Sequence, residues 1–167
     1  MRFFDHIRLA CQQSLLDTLH ALARRRGSLA NLPAHLVTGI EGESAAYFYL
    51  RRNGYTVVAR RWTAHELPGD LDLIAWYGSL LCFIEVKTRT AHDEIPAEDA
   101  VDAEKRATLR CLARKYLRQL PDQSSPPARF DILSVYLIPG RKAEFQHFAG
   151  AFGWNEHSPD KRWGDKN

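Results

Sequence analysis

The sequence predicts an α/β protein built on a mixed central sheet with helices on its faces. Three observations predict this class: segments with apolar residues every three or four positions, runs rich in β-branched and aromatic residues, and Gly- or Pro-containing turns between them. These segments follow one another as helix, helix, three strands, helix, and one or two strands. With 167 residues, 45% of them hydrophobic and 26% charged, the chain can bury a core without disulfides or a structural metal.

The N-terminal segment predicts an extra amphipathic helix. Between residues 3 and 26, apolar residues recur at spacings of three and four, and the stripe ends in Arg24-Arg25-Arg26. Asp5 and Asp17 interrupt the positive charge, which favours packing on the main body or on a partner over binding to a membrane surface. Residues 1–35 are therefore expected to form a helical extension of the domain that follows.

A second helix is expected from about Gly39 to Asn53, where Gly54 supplies a left-handed residue to end it. Glu43 is unusual on this helix, because helical spacing puts its carboxylate at the head of an apolar row formed by Ala46, Tyr47 and Leu50. Two interpretations are open at this point: a first-turn glutamate favoured by the helix dipole, or a functional carboxylate.

The next segments predict three strands. The first is Tyr55–Trp62, which is followed by a loop around Pro68. Leu71–Trp76 and Leu80–Lys87 are two apolar runs on either side of Gly78-Ser79, a pair that suits a two-residue type II′ hairpin turn.

This hairpin fixes which residues face each other across the two strands. It predicts four facing pairs: Trp76 with Leu81, Ile74 with Phe83, Asp72 with Glu85, and Asp70 with Lys87. The residues that alternate with them, beginning with Leu71 and Leu73, line the opposite face. Both faces are apolar, so the hairpin is expected to be buried on both sides.

At the open end of the hairpin, three carboxylates crowd one ammonium. Like charges that face each other on a sheet are destabilising by up to about 1 kcal/mol, so Asp72 and Glu85 need a compensating cation. Lys87 would compensate Asp70, and a divalent cation would compensate the other two acids. Two carboxylates, the carbonyl of Val86, waters and a substrate phosphate form the kind of oxygen set that holds magnesium in phosphoryl-transfer sites. An ion-pair network at the rim of the sheet is the alternative interpretation.

The C-terminal half predicts one long helix and a further strand or two. The helix is expected from Ala97 to Leu120, with acidic residues early and basic residues late, as the helix dipole favours. Phe130–Ile138 predicts a strand, and a short strand follows near Phe145–Phe148. Few apolar residues remain from Gly153 on, so residues 153–167 are expected to be a flexible C-terminal tail, and residues 36–152 the main domain.

The charge distribution permits nucleic-acid binding. The net charge is +3 and the pI about 8.8. Basic residues cluster at Arg51-Arg52, at Arg60-Arg61 and late in the long helix, at Arg110, Arg114, Lys115 and Arg118. If these residues share a face they could follow a phosphate backbone, but the charge pattern taken alone favours solvated surface.

The cysteines predict a reducing compartment. Cys11, Cys82 and Cys111 are widely spaced and form no C-x-x-C pair, which argues against a disulfide framework or a zinc ribbon. No apolar run approaches the roughly 20 residues of a membrane helix. A cytoplasmic protein that does not bind membranes is therefore expected.

Several blocks of the chain together resemble one protein family. In order, they are TGIEGESAAYFYLRRNGY, GDLDLIA, FIEVKTR, AVDAEKR, RFDILSV and the closing Ala151-Phe152. On these blocks, residues 38–152 resemble the YraN family of bacterial proteins, which belongs to the PD-(D/E)XK, restriction-endonuclease-like superfamily and is similar to archaeal Holliday-junction resolvases. The resemblance implies a restriction-endonuclease-like mixed sheet and a nuclease activity that depends on Mg²⁺ or Mn²⁺.

The resemblance also implies roles for single residues. Asp72 matches the metal-binding aspartate, Glu85 and Lys87 match the (D/E)XK pair, and Glu43 matches the helix glutamate of the resolvase-like branch. In such nucleases the carboxylates, with the carbonyl at Val86, hold the metal. The lysine positions the attacking water or stabilises charge on the phosphate.

The chain departs from the family pattern at two positions near the site. A glutamate is usual where Asp70 stands, which leaves Asp70 as a candidate supporting residue, and an asparagine is usual where Arg61 stands. The residues expected to contact nucleic acid are Arg51, Arg52, Arg60, Arg61 and Arg89.

Two functions follow from the sequence. The first is a metal-dependent endonuclease, with DNA favoured over RNA as the expected substrate and branched or recombination intermediates among its candidate forms. The second is a nucleic-acid-binding or assembly module that keeps the nuclease fold with little or no catalysis. The intact acidic residues and Lys87 favour the first, and the weak net basicity and the unusual Asp70 favour the second. A homodimer is compatible with either function.

Overall fold

The structure is a computed structural model that describes residues 33–91, 101–121 and 125–155. The helix expected over residues 3–26 and most of the expected tail, residues 156–167, lie outside the described residues. The elements run in the order α1 (Ala34–Arg52), β1 (Thr56–Trp62), β2 (Leu71–Tyr77), β3 (Leu80–Arg89), α2 (Ala103–Leu117), β4 (Ala128–Tyr136) and β5 (Glu144–Phe152).

The five strands form one mixed sheet in the order β1-β2-β3-β4-β5. β3 and β4 are parallel, with α2 in the connection between them, and the other neighbouring strands are antiparallel. The predicted α/β class with a mixed central sheet is therefore confirmed.

The two helices cover opposite faces of the sheet. α1 packs on one face through Ala46 and Leu50, against Leu73, Ala75, Cys82, Ile84 and residues of β4. α2 packs on the other face through Leu109 and Leu112, against the residues that alternate with these, such as Ile74, Phe83 and Phe130. Burial on both faces explains why β2 and β3 are nearly continuous apolar runs. Within the described residues, no helix is long and apolar enough to span a membrane.

The predicted hairpin register is confirmed where β2 and β3 pair. Trp76 faces Leu81 and Ile74 faces Phe83, and the pairs continue to Leu73 with Ile84. Gly78 has a φ of 61°, while Ser79 has no positive φ, which agrees with a type II′ turn.

The ends of several elements differ from expectation. α1 begins at Ala34 rather than Gly39, because the carbonyl of Pro33 already accepts from the N–H groups of Leu36 and Val37. α2 begins only at Ala103, where the carboxylate of Asp102 caps it by accepting from the backbone N–H of Lys105 at 2.7 Å. β5 is longer than the short strand expected, since it spans Glu144–Phe152.

The packed part of the chain also continues past the expected start of the tail. The ring of Trp154 packs edge-on against Phe83 and Phe130, and its Nε1 donates to the carbonyl of Ala128 at 3.2 Å. A tryptophan can close one side of a core in this way while its N–H keeps a partner.

One face assignment was wrong. Leu71 packs with the α2-side cluster rather than with Leu73 on the α1 side. The neighbouring strand β1 changes phase at the same level, because Ala59 and Trp62, three residues apart, both pack on the α2 side. Arg61, between them, has a φ of 47°, and this left-handed residue breaks the strict alternation of the strand.

Candidate active site

The backbone pairing of β2 with β3 ends where the acidic residues of the hairpin begin. The side chain of Asp72 accepts a hydrogen bond from the backbone N–H of Val86 through Oδ2 at 2.7 Å, directly beyond the pair of Leu73 and Ile84. At this end of the hairpin, a side-chain carboxylate of β2 therefore accepts a hydrogen bond from a backbone N–H of β3. The two strands carry acidic side chains from this point toward one cavity.

Glu85 is buried and lies between two lysines. Its side chain is only 4% exposed, Lys87 Nζ lies 3.0 Å from Oε1, and Lys105 Nζ lies 3.2 Å from Oε2. None of the described residues donates a hydrogen bond of good geometry to Oε2, which is fully buried. Lys87 therefore pairs with its own strand neighbour Glu85, and its expected pairing with Asp70 was wrong because Arg61 takes that place.

Lys105 is a site residue that sequence reasoning missed. It lies in the first turn of α2, where a cation is disfavoured by the helix dipole. Burial alone lowers the pKa of Lys105, but the carboxylates of Glu85 and Asp72 outweigh it and raise that pKa. The signal in the sequence was the basic pair Lys105-Arg106 among the early acidic residues of a helix whose remaining basic residues come late.

Glu43 reaches the same region from α1. Its neighbour Gly42 brings the helix unusually close to β3, because a Cβ at this position would lie 2.7 Å from Cβ of Thr88. A side chain at position 42 would push the helix away from the strand. The Glu43 side chain is 13% exposed, and burial raises the pKa of its carboxyl although Arg61 opposes the shift.

Among the acids of the site, Asp72 has the carboxyl group with the largest shift in pKa. Burial and the negative charge of Glu85 raise the pKa of Asp72 to about 7, while the Val86 N–H and Lys105 act in the opposite direction. A carboxyl group with a pKa near neutrality is typical of functional sites, where burial and like charges are brought together.

Beside Glu43 lie two further charged residues, Arg61 and Asp70, and Arg61 contacts both acids. Arg61 Nε lies 3.5 Å from Oε2 of Glu43 and 3.7 Å from Oδ2 of Asp70. The guanidinium of Arg61, which is expected to contact phosphate, therefore lies beside two carboxylates of the protein. Asp70 supports the site through Arg61 in this arrangement.

The acids and the end of β3 line one open cavity of about 720 Å³. Its lining includes Glu43, Asp72, Glu85 and Val86, together with Arg89 and the threonines around it. We call this cavity, with its three carboxylates, the acidic cleft. Within the described ranges, no group of three or more His, Cys, Asp or Glu side chains is arranged as a ready metal cage.

The other arginines expected to bind nucleic acid lie in different surroundings. Arg52 is exposed at the end of α1 and Arg51 beside it is half-buried. Arg60 is exposed, with its guanidinium 5.3 Å from the centre of the Tyr47 ring and Nη2 3.4 Å from Oγ of Ser44. These side chains lie on α1 and β1, the same two elements that carry Glu43 and Arg61.

The late basic residues of α2 were candidates for phosphate contact only if they shared a free face, and three of them have partners within the protein. Arg110 is buried and its Nε donates to the carbonyl of Gly153 at 2.8 Å. Arg114 lies over the Trp154 ring at 5.7 Å, and Lys115 pairs with Glu66 at 2.9 Å. These groups hold the C-terminal segment and a loop on α2, so they are occupied within the protein.

The fold and the acidic cleft define a class of protein: a mixed α/β domain with three carboxylates and two lysines at the open end of a hairpin. Residues 42–135 match the model of Uncharacterised protein family UPF0102. The chain belongs to this family, which confirms the resemblance to the YraN family.

Three relatives align with this chain over most of their own length. A UPF0102 protein of Koribacter versatilis is 54% identical over 105 residues, which is 63% of this chain and 72% of the relative. A second, of Solibacter usitatus, is 48% identical over 66% of this chain and 82% of the relative. A third, of a Parafrankia species, is 39% identical over 66% of this chain and 92% of the relative. These names give the family and no reaction.

Proposed function

We propose that this protein is a metal-dependent nuclease that hydrolyses phosphodiester bonds of DNA at the acidic cleft. The observation that carries the proposal is that Glu43, Asp72 and Glu85, from three different elements, line one cavity while two lysines contact Glu85. Keeping several buried acids close together costs folding free energy, so such clusters mark functional sites more often than structural ones.

The oxygen groups of the cleft fit Mg²⁺ or Mn²⁺. The cavity offers carboxylates from Glu43, Asp72 and Glu85 and the backbone of Val86, all hard oxygen ligands. Oε2 of Glu85 is buried without a well-placed hydrogen-bond donor among the described residues, so it has capacity for a further cationic partner. Mg²⁺ usually takes one or two carboxylates and completes its shell with waters and phosphate, so a three-residue cage is not needed.

The metal would supply Lewis-acid activation of a water and of the phosphate. Asp72 and Glu85 would hold it, with Glu43 across the cavity. Lys87, whose side chain is 30% exposed, would place its ammonium against the phosphate and stabilise the charge that develops there. Water would attack phosphorus and the P–O ester bond would break, which leaves one terminal phosphate and one hydroxyl.

Backbone contacts by the arginines of α1 and β1 would orient the nucleic acid without reading its sequence. The family resemblance supports DNA over RNA, and branched or recombination intermediates as its form. Action in the cytoplasm is supported by Cys82 and Cys111, which are both free thiols, as is usual in a reducing compartment.

A second candidate function is supported by the internal ion pairs. Both oxygens of Glu85 lie within 3.2 Å of a lysine, and Arg61 lies on Glu43. The charges of the cleft are thus partly balanced without a metal. This arrangement favours a nucleic-acid-binding or assembly module that keeps the fold with little catalysis.

The experiment that separates the two is a cleavage and binding assay on the purified full chain. Single-stranded, duplex and four-way-junction forms of DNA and RNA are each tested with Mg²⁺, with Mn²⁺ and with a chelator. Metal-dependent cleavage that disappears in Glu43→Gln but persists in Glu41→Gln, a matched change on the same helix, supports the nuclease. Binding without cleavage by any of the proteins supports the second candidate.

A further inference from the structure

Arg61 stands out among the charged residues of the site because of its backbone. It is the one non-glycine residue with a positive φ, 47°, within the described ranges. L-amino acids with a side chain avoid this region because Cβ crowds the backbone, and glycine or asparagine occupies it at lower cost. An arginine here must be held by its contacts.

The contacts that hold Arg61 are the two carboxylates. Nε lies 3.5 Å from Glu43 on α1 and 3.7 Å from Asp70, which directly precedes β2. The left-handed residue also lets Trp62 turn into the α2-side core while the guanidinium stays at the acids. One arginine therefore links β1, α1 and the start of β2 at the edge of the acidic cleft.

The guanidinium of Arg61 can also move away from these two carboxylates. The side chain of Arg61 is 57% exposed, whereas that of Glu43 is 13% exposed. Ion pairs at 3.5 Å or more that involve an exposed arginine are weak, because solvent screens them and the side chain gains freedom on release. The carboxylate is fixed in the site and its counter-ion is exposed.

We infer that Arg61 is the resident counter-ion of Glu43 and Asp70, and that a divalent cation entering the acidic cleft displaces it from Glu43. The inference rests on the proposed metal dependence and adds a step to it. Metal binding is then a competition between a divalent ion and an arginine of the protein. Removing the arginine must strengthen metal binding.

The test is a calorimetric titration of Mn²⁺ into the full-length chain and its variants at low ionic strength. Arg61→Asn removes the charge and suits the left-handed backbone. We expect it to bind Mn²⁺ about three- to tenfold more tightly than the parent, which is the range expected when weak, partly exposed ion pairs no longer compete.

Two matched variants separate this effect from general electrostatics. Arg61→Lys keeps a cation and is expected to bind Mn²⁺ like the parent. Arg141→Asn removes the same charge from the exposed turn between β4 and β5 and is also expected to match the parent. If Arg141→Asn strengthens binding as much as Arg61→Asn does, the inference is wrong.

The outcomes also separate this inference from the proposed function. If the parent binds Mn²⁺ and Arg61→Asn binds it equally or more weakly, only the inference fails. If neither protein binds Mn²⁺, both fail. Should Arg61→Asn not fold, the Nε–Hε NMR signal of Arg61 in the parent is followed during Mg²⁺ titration. A signal that stays unchanged while Mg²⁺ saturates the protein overturns the inference, and one that shifts with saturation supports it.

Discussion

Two groups of charged residues in this protein surround their carboxylates in different ways. One is the acidic cleft. The other, which we call the ionic network, consists of Tyr55, Arg129, Asp131 and His147, on β4, β5 and the residue before β1. Both contain a buried acid and nearby cations.

In the ionic network the acid is fully enclosed by partners. Asp131 has no exposed surface, and Arg129 Nε and His147 Nε2 lie 2.8 and 3.0 Å from its oxygens, while the backbone N–H of Gly150 donates at 2.9 Å. Arg129 also donates to the hydroxyl of Tyr55 at 2.9 Å. Burial raises the pKa of Tyr55 to about 12, so its hydroxyl keeps its proton.

In the acidic cleft the acids face a cavity instead. Asp72 accepts the Val86 N–H with one oxygen, and Oε2 of Glu85 has the Lys105 ammonium at 3.2 Å without a hydrogen bond of good geometry. Both acids line a cavity of about 720 Å³. An acid whose oxygens are filled by protein groups stabilises the fold, whereas acids left open toward a cavity can bind something else. The ionic network is therefore structural, and the acids of the cleft are the ones available to a ligand.

The largest expected effect tests the structural role of the ionic network. Asp131→Ala leaves the Arg129 guanidinium without its buried counter-ion and His147 without its hydrogen-bond partner, so we expect the free energy of unfolding to fall by about 3 kcal/mol. Urea unfolding monitored by circular dichroism measures it. A variant as stable as the parent would show that the network contributes no net stability.

The next effect tests the chemical role of the cleft. Lys87→Met is expected to slow single-turnover cleavage by about 100-fold, because only the transition state loses a preorganised cation. The free energy of unfolding should change by less than about 1 kcal/mol, since the Lys87–Glu85 pair is partly exposed. Lys142→Met, on the exposed β4–β5 turn, is the control. Cleavage by Lys87→Met at the parent rate would refute the mechanism.

A smaller effect follows from the raised pKa of Asp72. The folded protein holds this proton up to a pKa of about 7, while the unfolded chain releases it near the ordinary value of 3.8. Between these values the folded state binds more protons, so this group's contribution to stability is lost as the pH rises through about 7.

Asp72→Asn removes this titration and can still accept the Val86 N–H. In the presence of a chelator we expect it to be about 1–2 kcal/mol more stable than the parent at pH 8, a discounted share of the linkage free energy, and roughly a third of that at pH 5. Urea unfolding at both pH values measures it. Equal stability of the two proteins at pH 8 would contradict the raised pKa.

The smallest expected effect is on DNA affinity, measured for Arg60 of β1 and for Arg114 of α2. Arg60→Ala is expected to weaken duplex DNA binding by about three- to tenfold and to lower the salt slope by about one, as expected for one lost phosphate contact. Arg114→Ala should leave binding unchanged, because its guanidinium lies on Trp154. Fluorescence anisotropy across a salt series measures both. Equal losses in the two variants would show that α2 also contacts DNA.

Local sequence patterns predict the hairpin and much of the acidic cleft. A two-residue turn at Gly78-Ser79 and alternation along two strands set the register, and helical spacing alone singled out Glu43. These features depend on the geometry of a few neighbouring residues, which the order of amino acids specifies directly. The nuclease chemistry stays a prediction.

Which charged side chains contact each other depends on how the helices and strands pack. Lys105 contacts Glu85 because α2 packs across the sheet, Arg61 lies on Glu43 because one left-handed residue redirects β1, and Arg110 is buried because the C-terminal segment returns to α2. Each contact joins residues that are distant in the chain. Ion pairs of this kind depend on how whole elements pack, and local periodicity carries no information about that packing.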